Sequence, residues 1–127
     1  MKNNVSYKGK LFIYMEDRRM AKVERQLVGD FDQIINRICK GILDGSMSAS
    51  LEDSSDFKIG NARCSVRVFE RYSYAGGNRV SMSVTLFEND GVIYLTGITS
   101  GGSQAVFFKV NTWGEEAFLD KLLEIIQ

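Results

Sequence analysis

No histidine and no proline occur in the 127 residues, and cysteine occurs only twice. Without histidine there is no Ser-His-Asp triad, no histidine general base and no histidine-containing metal site. Two cysteines are too few to close a thiolate metal site on their own. The absence of proline removes rigid kinks and stiff linkers, which argues for one compact unit. No apolar run approaches the ~20 residues of a membrane-spanning helix. Net charge is missing as well. Sixteen basic residues balance sixteen acidic ones, so the chain as a whole has no bias toward nucleic acid or a membrane surface. What remains is 44% hydrophobic and 25% charged, an ordinary globular composition at single-domain length, with no implied cofactor or metal.

Cys39 and Cys64 fall inside apolar periodic runs, where a free thiol behaves as a small buried hydrophobe. Leu11–Met15 is too short for the apolar part of a secretory leader, and two thiols without a leader point to the cytoplasm. Residues 1–19 differ from the rest. They carry five basic residues against Glu16 and Asp17, a charge of +3, which leaves −3 on the other 108 residues. They read either as an ordered N-terminal strand or as an extension upstream of a natural start at Met20. Residues 20–127 read as one domain.

Ala21, Val23 and Leu27 alternate with polar residues, a strand with one inward face. Asp30, with Gln33 three residues on, opens a helix whose stripe is Phe31, Ile34, Ile35, Ile38, Ile42 and Leu43. Gly45 is expected to end it as a left-handed cap, and Gly41 marks a close packing point. Met47, Ala49 and Leu51 suggest a second strand, and Glu52–Asp56 a polar turn. Cys64–Tyr74 and Val80–Leu86 form a hairpin. Val92–Thr99, apolar on both faces, reads as a central covered strand. Turns are expected at Asn89-Asp90-Gly91 and Ser100-Gly101-Gly102-Ser103, then a strand over Ala105–Val110. A capping box at Thr112 and Glu115 opens a last helix with Phe118, Leu119, Leu122, Leu123, Ile125 and Ile126 inward. The fold class is α+β: an antiparallel sheet of five to six strands with two helices on one face, in the order β-α-β-β-β-β-β-α.

The apolar sets of the hairpin, Cys64, Val66, Val68, Tyr72 and Tyr74 against Val80, Met82, Val84 and Leu86, share a face only with an odd-length loop. A three-residue loop, Gly76-Gly77-Asn78, pairs Tyr74 with Val80 and Tyr72 with Met82. That register puts Glu70 on the apolar face, either as a perturbed acid in a cleft or as a carboxylate satisfied by an arginine or a tyrosine. It sends Arg63, Arg67, Arg71 and Arg79, with Phe69 and Phe87, to the face away from the helices. Such a row fits a solvated surface, a subunit interface, or less readily a nucleic-acid platform. Glu52, Asp53 and Asp56 can gather a hard cation, sit in a solvated turn or pair with the arginines; their spacing matches no EF-hand loop. Ser100, Gly101, Gly102 and Ser103 read as a glycine hairpin turn or an anion nest, but no Walker lysine accompanies them.

Four runs resemble a small uncharacterised bacterial family, a domain of unknown function: Ser48–Phe57, Arg67–Tyr74 with Gly76-Gly77-Asn78-Arg79, Gly101–Ala105, and Gly114–Leu119. The resemblance covers roughly residues 20–127 and implies no catalytic residue. No set of nucleophile, base and oxyanion donors can be named, so a non-enzymatic binding or assembly module, homodimeric, is the expected function. The competing class is a small-molecule or lipid carrier. The element order is similar to that of helix-grip proteins, which implies a cavity between sheet and C-terminal helix.

Overall fold

Ala21 and Val23 are both buried on the first strand, β1 (Met20–Leu27), as their alternation with Lys22 and Glu24 requires. The computed structural model describes residues 20–73, 78–101 and 108–127, so the basic N-terminal stretch lies outside the described residues. After β1, Gly29 takes a positive φ of 143° and the chain turns into α1 (Phe31–Asp44). The Asp30 carboxylate caps α1 by accepting from the Gln33 N–H at 3.0 Å. Phe31, Ile34, Ile35, Ile38 and Ile42 are buried, whereas Leu43 lies at the solvent margin. Gly45 ends the helix, but with right-handed backbone (φ −81°), its N–H donating to the Gly41 carbonyl at 3.0 Å. No left-handed cap forms there.

Four strands follow as a meander: β2 (Ser50–Ile59), β3 (Ala62–Ser73), β4 (Asn78–Asn89) and β5 (Val92–Gly101). α2 (Phe108–Ile126) closes the chain. The sheet has five antiparallel strands in the spatial order β1-β5-β4-β3-β2, and both helices cover one face of it. This is the expected α+β architecture, with five strands. The strand expected at Ala105–Val110 is not seen where the chain is described: Phe108–Val110 already belong to α2, and residues 105–107 lie outside the described residues. α2 therefore begins four residues before Thr112, the cap that the sequence suggested.

The second departure is β2. Glu52–Asp56 is not a turn but the middle of a ten-residue edge strand, exposed along nearly its whole length. Serine and aspartate favour turns, which explains the misreading. On a sheet edge the same residues keep unpaired backbone groups solvated and discourage further pairing. A bulge between Leu51 and Asp53 kinks this edge.

The third departure is the register of β3. Tyr72 pairs with Arg79, Phe69 with Met82, and Ser65 with Leu86. This differs by three residues from the pairing that the apolar sets suggested, and an odd shift reverses the faces of a strand. Val80, Met82, Val84 and Leu86 face the helices as expected, but from β3 it is Arg63, Ser65, Arg67, Phe69 and Arg71 that join them. The core between sheet and helices also contains Leu95, Phe118, Leu119 and Leu122. Cβ atoms built at Gly41 and Gly97 would come within 2.6 Å of Ile125 and 2.7 Å of Leu122, so both glycines mark close approaches of α2. β5 is central but covered on one face only: Val92, Tyr94 and Ile98 are exposed on the other.

Candidate functional site

The reversed register of β3 relocates most of the residues singled out in the sequence. Arg63 reaches from β3 to the first turn of α1. Its Nη2 lies 2.7 Å from the Asp32 carboxylate, and its guanidinium lies 4.2 Å from the centroid of the Phe31 ring. Arg67 makes a two-pronged contact with Asp56 on β2, at 2.9 and 3.3 Å, and donates to the Val66 carbonyl at 3.0 Å. Its side chain is only 14% exposed. Arg71 stacks its guanidinium over Phe118 of α2, 4.6 Å from the centroid, and burial lowers its pKa from the ordinary arginine value. None of the three lies on the face away from the helices. They flank the core, with their stems on aromatic rings and their charges at its margin. Phe69, placed outside by the sequence parity, is fully buried.

Glu70 is the converse case. It lies on the outer face, 29% exposed, where Arg79 Nε donates to it at 2.7 Å and Ser81 at 3.2 Å. These two donors hold its carboxyl below the usual range. It is not a buried acid. Arg79 keeps its expected outward place, 3.8 Å from Glu52 and over the Tyr72 ring.

Two features are assembled from these residues. One is a cleft of about 490 Å³ between α1 and the β2–β3 hairpin. Asp32, Ile35 and Asn36 form its helical wall; Asp56, Lys58, Arg63, Ser65 and Arg67 are among the residues of its sheet floor. The Ser65 hydroxyl donates to the Asp56 carboxylate, and with Arg67 it holds the Asp56 pKa below the ordinary carboxylate value. Asp56 therefore stabilises the fold when ionised, and that contribution is lost as pH falls through its lowered folded value. In Ser65→Ala the Asp56 carboxyl is expected to titrate higher, closer to the ordinary carboxylate range, because its largest stabilising donor is gone. Carboxyl-carbon NMR against pH reads that upward movement directly. An unmoved titration would mean that Arg67 alone sets it.

The other feature is the outer face. Phe57, Cys64, Phe87 and Tyr94 stand in one cross-strand row over β2, β3, β4 and β5. Ile59, Tyr72, Val92 and Ile98 share that face, and all of these except Cys64 are exposed. Cys64 is buried in the row, which pushes its thiol pKa up. Phe87 is the one outward residue of this row that the sequence reading had named. Phe57 follows the stretch that reads as a turn, and Tyr94 lies in the strand that reads as covered core.

The acidic and glycine segments are placed in strands where the structure describes them. Glu52, Asp53 and Asp56 are spread along β2, with Asp56 turned to the cleft and Asp53 to the opposite face. Among the described residues, no three His, Cys, Asp or Glu side chains gather to hold a metal ion. Ser100 and Gly101 belong to β5 rather than to a turn, Gly101 with φ 122°; Gly102 and Ser103 lie outside the described residues.

One sequence pattern spans residues 20–127 of the chain. The chain belongs to DUF6054, a family of unknown function. No curated protein matches this DUF6054 chain in sequence. Among solved structures it is similar to PA94 of Pseudomonas aeruginosa, a protein of unknown function, with 11% identity and a TM-score of 0.53 over 93% of this chain and 81% of that one. That likeness concerns the fold alone. Two lower likenesses are to the Ran-binding protein Mog1p of Saccharomyces cerevisiae and to the lipid transfer and protein localization domain of human StarD13. For Mog1p the TM-score is 0.44 and the identity 9%, over 84% of this chain and 64% of that one. For StarD13 they are 0.37 and 9%, over 85% and 77%. Neither of these two carries an argument about this chain. Among the described residues no helix is long and apolar enough to cross a membrane.

Proposed function

We propose that this DUF6054 chain is a non-enzymatic assembly module that forms a homodimer through the outer face of its sheet. One observation carries the reading: Phe57, Ile59, Tyr72, Phe87, Val92, Tyr94 and Ile98 are all exposed, and all lie on that one face. An apolar area gathered on one side of a domain marks a surface that is covered in use. Its size fits a second copy. Five strands about 4.8 Å apart, each about ten residues long at about 3.3 Å per residue, span roughly 800 Å². A specific interface of standard size covers about that area on each partner. Its charges are largely paired within the face, Arg79 with Glu70 and Lys22 with Glu24, so two copies approach without a large like-charge field. The free thiols of Cys39 and Cys64 support a reducing, cytoplasmic setting. The carrier reading needs space between sheet and C-terminal helix. Where α2 crosses β5, Leu122 and Leu119 already occupy the space above Gly97.

Sedimentation velocity tests the dimer. The parent is expected to sediment as a dimer at micromolar concentration. Phe87→Lys together with Tyr94→Lys, which puts two charges in the aromatic row, is expected to give monomer with an unchanged far-UV spectrum. A parent that stays monomeric at several hundred micromolar, well above the Kd of a standard-size interface, removes the proposal.

A further inference from the structure

The floor of the α1 cleft carries a local conflict. Lys58 and Arg63 are directly opposite each other on β2 and β3, and both line the cleft. Like charges at directly opposed positions of an antiparallel pair are destabilising. Arg67, two residue pairs further along the same face, adds a third cation. The carboxylates nearby are already used: Asp32 is engaged by both terminal nitrogens of Arg63, and Asp56 by Arg67 and Ser65. Among the described residues Lys58 forms no ion pair. Three cations against two carboxylates leave the cleft with a surplus positive charge. A rule of local consistency broken inside a concave site is where function is expected.

We infer that the cleft binds a small organic phosphate, with the phosphoryl oxygens between Lys58 and Arg63. A phosphoryl dianion resolves the Lys58–Arg63 conflict, and guanidinium and ammonium donors suit its oxygens. The Asn36 side-chain amide on the helical wall offers a neutral donor. At about 490 Å³ the cleft has the size of a small-molecule site and far exceeds a bare phosphate ion, so an organic body is accommodated beside Ile35. Phe57 and Cys64 border both this cleft and the outer row, but Lys58 and Arg63 belong to the opposite face, so the Lys58→Gln test does not depend on dimer formation.

The probes are phenyl phosphate and inorganic phosphate, each compared with sodium chloride at equal ionic strength. Melting temperature and amide NMR shifts of the full chain are the readouts. Phenyl phosphate is expected to raise the melting temperature by several degrees and to move the amides of Asn36, Lys58 and Arg63. In Lys58→Gln, binding is expected to weaken about tenfold or more, the loss of one charge-assisted contact. The same variant without ligand is expected to melt no lower than the parent, because a repulsion has been removed. This pairing of lost binding with retained stability is what a merely structural lysine does not give. Equal effects of the two phosphates would support the site with free phosphate as its ligand. Identical behaviour in phosphate and chloride, or undiminished binding in Lys58→Gln, overturns the inference.

Discussion

Phe69→Ala is expected to destabilise the protein by about 3–5 kcal/mol, the cost of emptying a fully enclosed phenylalanine site. Domains of this size are stable by only about 5–15 kcal/mol, so the variant should be close to unfolded at moderate temperature. Phe69 is the one large apolar side chain that β3 contributes to the core, packed in register with Met82 and Thr99 on the neighbouring strands. Urea denaturation of parent and variant measures the difference, and Phe87→Ala is the natural control. Phe87 is also a phenylalanine of the central hairpin, but 42% exposed on the outer face of a single subunit, so at concentrations low enough for monomer its loss should cost far less. The comparison decides the register. Were the apolar set Val66, Val68 and Tyr72 inward, Phe69 would be a surface residue and its removal would fall within about ±0.5 kcal/mol.

That inversion shows what the sequence can and cannot carry. On β4 the apolar positions and the helix-covered positions coincide, so alternation alone places Val80, Met82, Val84 and Leu86 correctly. α1 and the C-terminal part of α2 are equally plain, because a stripe at helical spacing has one way to pack. On β3 the two faces compete. One carries Cys64, Val66, Val68 and Tyr72; the other carries three arginines around a single phenylalanine. Counting apolar residues favours the first face. The helices cover the second, because an arginine buries its stem and keeps its charge at the margin when an aromatic ring or a carboxylate is there to receive it. The receivers are Phe31, Asp32, Asp56 and Phe118, all on other elements, so no local pattern announces them. The cleft was hidden for the same reason. Its lysine sits in a segment whose serines and aspartates read as a turn, and its helical wall is where Asp32 and Asn36 flank the apolar stripe of an amphipathic helix at Ile35.

Gly97→Val probes the other end of this architecture, the seat of α2 on the sheet. Gly97 lies in the middle of β5, paired with Val23 on one side and Val84 on the other, directly under the helix. A Cβ there would stand 2.7 Å from Leu122 Cδ2, 3.5 Å from Val23 Cγ1 and 3.6 Å from Leu119 Cδ2. All three neighbours are buried, so none has open solvent to move into. Overpacking of this kind costs about 1–3 kcal/mol. Valine's strand preference offsets part of that, on a scale that spans about 1 kcal/mol, so the net change is destabilising but moderate. The sharper test is the double variant. Leu122→Ala alone should cost about 2–5 kcal/mol by leaving a cavity above Gly97. With valine at 97 that space is refilled, and the pair should be more stable than the sum of the single changes by about 0.5–3 kcal/mol. Strictly additive losses would place Leu122 away from Gly97, and with it the helix that closes the core.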